Sequence, residues 1–102
     1  MFDMINKLTE LKKKMDETKA KLDTIAVTGS AGDGAVTITL TANKAIKKIE
    51  IEDALCLPER KEELIDYIEI AFSKALEQAN NVSEQEMMAS GKGMLPNIPG
   101  LF

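Results

Sequence analysis

Seven residues of the N-terminal stretch recur at steps of four, three, four, three, four and three: Met4, Leu8, Leu11, Met15, Thr18, Leu22 and Ile25. Six of the seven are apolar and only Thr18 is polar, so the stretch reads as a helix with a strict heptad seam over three repeats. The seam is narrow. An apolar stripe two residues wide per heptad cannot satisfy a globular core alone, so this helix must lie against another, in the same chain or in a second copy. Lys7, Lys12, Lys13, Lys14, Lys19 and Lys21 fall off the seam, among Glu10, Asp16, Glu17 and Asp23.

At Ile25 the period changes from helical to alternating. Ile25, Val27, Val36, Ile38 and Leu40 are apolar while Thr37, Thr39 and Thr41 take the opposite face, the pattern of strands with one dry side. Residues 29–34, Gly-Ser-Ala-Gly-Asp-Gly, suit the loop of a hairpin. Ala42, Asn43 and Lys44 suit a second turn, with Asn43 able to accept a left-handed backbone, before a third strand over residues 46–51. The result is an antiparallel three-stranded meander whose apolar face needs a helix as cover.

Pro58 is suited to the first turn of that helix, and Glu59, Glu62 and Glu63 place negative charge where the helix dipole favours it. Leu64, Ile65, Ile68, Ala71, Phe72, Ala75, Leu76 and Ala79 form a broader stripe than the first helix carries. The pattern extends to about Ser90, with Asn80 and Asn81 as a point of weakness. The expected fold class is therefore α+β in the order αβββα, with one domain over residues 1–90. Residues 91–102 contain two prolines and three glycines among Met94, Leu95, Ile98, Leu101 and Phe102; they read as an apolar tail suited to docking on a protein partner or to folding back on the protein itself.

Composition narrows the function. No histidine is present, which removes His-dependent nucleophiles, zinc sites and pH switches. Cys56 is the only cysteine, so no intrachain disulfide or CxxC site exists; it reads as a small apolar filler in a reducing compartment. Asp3, Lys7 and Glu10 interrupt the apolar residues of the start, and no stretch matches a membrane span, so the expected location is cytoplasmic, without membrane contact. Glu62, Asp66 and Glu69 share a helix face and read as a solvated surface rather than a metal site, and no cofactor is expected. The net charge of −4 is uneven. Residues 1–24 carry six lysines against five acids, whereas residues 53–102 carry four basic groups against nine acids. Any contact with nucleic-acid phosphates must therefore be local, through Lys12, Lys13, Lys14, Lys19 and Lys21 or through Lys47 and Lys48. The same lysines also fit a solvated coiled-coil face, with pairs such as Glu10 with Lys14 and Glu17 with Lys21 adding about 0.2–0.5 kcal/mol each. Lys47 and Lys48 alternate across their strand, so at most one shares the threonine face. Arg60, the one arginine, sits among acids.

The ordered set of features resembles the YbaB/EbfC family of bacterial nucleoid-associated proteins. The residues that carry the resemblance are Met1-Phe2 before the Lys- and Met-bearing helix, Val27-Thr28-Gly29 with Gly32 and Gly34, and Val36-Thr37-Ile38. Further along are Lys47-Lys48-Ile49-Glu50-Ile51, Ala71-Phe72, and the Gly-Met-Leu-Pro run that ends in Pro99-Gly100-Leu101-Phe102. The resemblance implies a non-enzymatic homodimer with tweezer-like helical arms. It would bind double-stranded DNA with little sequence preference at the nucleoid and influence gene expression. Its interface is expected at Leu8, Leu11, Met15, Leu22, Ile38, Leu40, Ile68 and Phe72, and its DNA contacts at the lysines named above. A coiled-coil adaptor or holdase that binds protein rather than DNA is the competing reading, favoured by the acidic second helix.

Overall fold

The computed structural model describes residues 2–91. The expected tail lies outside the described residues beyond Gly91. Helix α1 (Phe2–Asp23) leads into strands β1 (Ala26–Ala31), β2 (Val36–Thr41) and β3 (Ile46–Ile51); 3-10 turns at Asp53–Leu55 and Pro58–Arg60 then precede helix α2 (Lys61–Gly91). The strands form one antiparallel sheet in the order β1-β2-β3. The αβββα order is the one the periodicities predict.

Register sorts the sheet into two faces. Val36, Ile38 and Leu40 pair with Ile51, Ile49 and Ile46, so these six share one face. Ser30 and Thr28 pair with Thr37 and Thr39 on the other, where the Ser30 and Thr37 hydroxyls are 3.0 Å apart. Helix α2 lies on the apolar face and crosses β1 and β2, leaving β3 open. Its small residues Ala71, Ala75 and Ala79, one turn apart, are fully buried and let it approach closely. Val36, Ile38, Leu40 and Leu55 complete the core, each adding about 1.5–3 kcal/mol of burial.

Three local expectations are corrected. Gly29 is not in the hairpin loop but within β1, opposite Ile38, and a Cβ there would strike the Ala71 carbonyl oxygen and the Ala75 nitrogen. The loop is confined to residues 32–35, where Gly32, Asp33 and Gly34 have φ of 65°, 57° and 90°. In the second turn the left-handed residue is Lys44, with φ 72°, rather than Asn43. Helix α2 begins three residues after Pro58, which opens a 3-10 turn instead, and runs through Asn80 and Asn81 for 31 residues as one helix.

The molecule is long, 66 × 25 × 17 Å, with a radius of gyration of 18.9 Å against about 13 Å for a compact chain of this length. The length comes from α1 and the second half of α2, which pack side by side as an arm. Thr18, Leu22 and Ala42 are buried near the root of that arm, where a cleft is lined by Thr18, Leu22, Asn43 and Ser83.

Candidate nucleic-acid interface

The heptad assigns every lysine of α1 to a row. Lys7, Lys14 and Lys21 recur every seven residues along one edge of the seam, and Lys12 and Lys19 along the other; Lys13 is on the back of the helix. Lys12, Lys13, Lys14, Lys19 and Lys21 are all exposed. At the root of the arm Lys21 crosses to α2, donating to the Glu86 carboxylate at 2.8 Å, so its partner is not the expected Glu17. Among the described residues no carboxylate lies within 4.0 Å of the Lys12, Lys13, Lys14 or Lys19 ammonium groups. These four make no ion pair at that distance, although each has a carboxylate four residues away on the same helix: Asp16, Glu17, Glu10 and Asp23 respectively.

On the sheet the two lysines separate. Lys48 pairs with Thr39 on the hydroxyl-rich face and stands 3.7 Å from the Glu50 carboxylate. Lys47 is the extra residue of a β-bulge, because Thr39 pairs with Lys48 and Leu40 with Ile46. Both are exposed, on a different element from the α1 set.

Asn43 is the positioning residue that sequence reasoning missed. Its side-chain amide donates to the Lys19 carbonyl at 2.8 Å and to the Asp23 carboxylate at 2.6 Å, which fastens the β2–β3 turn to the last turns of α1. The Ala42 backbone nitrogen donates to the Ile25 carbonyl at 2.9 Å beside it. A lone asparagine in a turn carries no sequence mark that distinguishes a clamp of this kind from an ordinary turn residue.

Arg60 is committed elsewhere. Its guanidinium forks onto Glu63 at 2.9 and 3.0 Å and donates to the Ala54 carbonyl at 3.0 Å, which spends its geometry on the start of α2. That hydrogen-bonded fork holds the Glu63 carboxyl below its ordinary pKa and raises the guanidinium above its own, while the Glu63 contact raises the Tyr67 phenol. Cys56 is exposed and not the expected filler; the neighbouring Leu55 is the buried side chain. Among the described residues no three His, Cys, Asp or Glu side chains gather to hold a metal ion, and no helix is long and apolar enough to cross a membrane.

The expected interface residues divide by burial. Leu22, Ile38 and Leu40 are covered within the single chain and have no surface to offer a second copy. Ile68, Phe72 and Leu11 are half-buried, and Leu8 and Met15 are exposed. Sequence reasoning overlooked a second exposed apolar strip on the open side of α2. Ile46 and Ile49 of β3 are 57% and 50% exposed, and Leu57 and Ile65 are exposed too. One flank of α2 carries Tyr67 and Lys74 against Gly32 and Gly29. Ile65, Phe72 and Leu76 fall on the other flank, the side of β3.

Comparison with known proteins gives the same family that the sequence resembles. The YbaB/EbfC DNA-binding family matches residues 1–94. A "Nucleoid-associated protein" of Flavobacterium johnsoniae is 39% identical over 99% of this chain and 93% of its own length. One from Alkaliphilus metalliredigens is 36% identical over the whole of this chain and 88% of its own. The crystal structure of an uncharacterized Helicobacter pylori protein superposes with a TM-score of 0.64 at 22% identity, covering 86% of this chain and 98% of that one, which establishes the shared fold.

Proposed function

The chain belongs to the YbaB/EbfC DNA-binding family, and on that premise we propose that it is a nucleoid-associated protein that grips the phosphates of double-stranded DNA through α1. The observation that carries this reading is the set Lys12, Lys13, Lys14 and Lys19, exposed on one rigid helix and with no carboxylate within 4.0 Å among the described residues. Ammonium groups of this kind release counterions from the duplex and read no bases, so binding is sequence-tolerant and falls steeply with salt. Lys21, held by Glu86, and Lys48, beside Glu50, contribute less, and Lys47 adds charge on the sheet.

The assembly is a homodimer, and the surface that supports it is the strip along β3 and the adjacent flank of α2: Ile46, Ile49, Leu57 and Ile65, continuous with the half-buried Ile68 and Phe72. Burying such a strip is the usual use of a contiguous apolar surface on a small soluble protein. The α1 seams of two copies do not supply the contact, because their flanking lysine rows would face one another. Two arms then present about eight exposed lysines to one duplex, and coating of the chromosome in the cytoplasm follows, with effects on expression.

Fluorescence anisotropy with random-sequence duplex at ~50 and ~200 mM salt tests the proposal. Engagement of about eight phosphates predicts a fall in affinity of about 10⁴-fold across that range. The triple variant K12Q/K13Q/K14Q weakens binding to every duplex alike and flattens the salt slope by about five, while circular dichroism stays unchanged. Salt-independent binding, or an unaltered triple variant, defeats the assignment of α1 as the grip.

A further inference from the structure

The seam of α1 is covered over only part of its length. At the root Thr18 and Leu22 are buried, yet towards the tip Met4 is 68% and Leu8 63% exposed, with Ile5 and Met15 also open and Leu11 half-buried. Residues 4–15 thus present about three turns of heptad seam that are covered only in part, least at Met4 and Leu8. Lys7 and Lys14 edge it on one side, and Ile5 and Lys12 on the other; the carboxylates Glu10, Asp16 and Glu17 stand one row further out. Where the seam is covered, the covering element is α2, and the edge lysine Lys21 meets the Glu86 carboxylate at 2.8 Å.

We infer that this exposed half of the α1 seam is a docking surface for an amphipathic helix of another protein whose apolar stripe is edged by glutamate or aspartate, continuing the pairing that α2 makes at the root. Charge complementarity selects that occupant. A second α1 would set lysine against lysine. An anionic lipid surface requires a wide apolar face and a basic remainder, whereas this stripe is narrow and the outer rows carry Glu10, Asp16 and Glu17. Residues 92–102 of the chain contain no Asp or Glu, so they lack the acidic edge that the lysine rows call for. An incoming helix with carboxylates beside its seam satisfies both the exposed hydrocarbon and the lysine edges.

The test uses the full chain without DNA, so its outcome is independent of the duplex titration. The probe is a dye-labelled, end-capped synthetic helix of about three heptads with Leu at its seam and Glu on both edges; the control has Lys on the edges instead. The Glu-edged peptide binds, the Lys-edged one does not, and both the L8S and M4S variants, changed at exposed positions, lose about tenfold or more in affinity, as does K7Q/K12Q/K14Q. Failure of the Glu-edged peptide, equal binding of the two peptides, or unaltered binding by L8S and M4S overturns the inference. So does tighter, L8S-sensitive binding to phosphatidylglycerol vesicles than to the peptide, which would assign the surface to lipid.

Discussion

Gly29 marks the closest approach of α2 to the sheet, because its missing Cβ would otherwise meet the backbone of Ala71 and Ala75. Backbone cannot rotate away as a side chain can, so the helix must lift along its alanine ridge. Gly29→Ala is therefore expected to lower stability by about 1–3 kcal/mol, read as a shift in the urea midpoint. Glycine is the same letter whether a chain needs it for a turn or for a neighbour, and for that reason Gly29 reads in the sequence as part of the loop that Gly32 and Gly34 do form. At the other end of α2, Glu63 is held below its ordinary pKa by the Arg60 fork, against the opposing pull of desolvation. A depressed carboxyl contributes stability above its unfolded pKa, near ~4.3, and loses it as pH falls through the lower folded value. Glu63→Gln removes that share of the acid-limb dependence, so the difference in urea midpoint between variant and parent shrinks on going from neutral pH to ~pH 3.

At the scale of elements, the α1 seam shows that periodicity reveals a face without revealing how much of it is covered. The steps of four and three are plain in the sequence, but burial depends on where α2 runs beside it. Two leucines of one stripe thus differ in consequence. Leu22→Ala at the buried root costs about 2–5 kcal/mol, whereas Leu8→Ala at the exposed tip stays within about 0.5 kcal/mol; thermal unfolding of both variants measures the contrast. The strands were legible because alternation from Val36 to Leu40 survives into the register, with threonines paired on the opposite face. The bulge at Lys47 was not, since no glycine or proline announces it and it follows from tertiary pairing alone.

For the molecule as a whole, the order of elements and the basic character of α1 were readable, while the strip along β3 was hidden in plain sight. Ile46, Ile49 and Ile51 look like the core face of a third strand, and they are; the sheet is simply wider than the helix that covers it. An aspartate at Ile49 places a charge in the centre of that strip. Ile49→Asp is expected to give a folded monomer in sedimentation velocity at micromolar concentration and to halve the phosphates engaged per particle, which lowers the salt slope of duplex binding accordingly. A compact wild-type monomer at that concentration would remove the two-armed grip altogether.

Helix α2 runs unbroken from beneath the sheet into the arm, and the clamp from Asn43 holds α1 to the same root. The arm thus behaves as a lever without a joint. In a pair of copies, the gap between two such levers is governed by the angle at which the bodies meet, and a rotation of a few degrees there is multiplied along the length of the shaft. Substitutions at the base, far from any phosphate, should therefore tune the width of duplex that the tips admit.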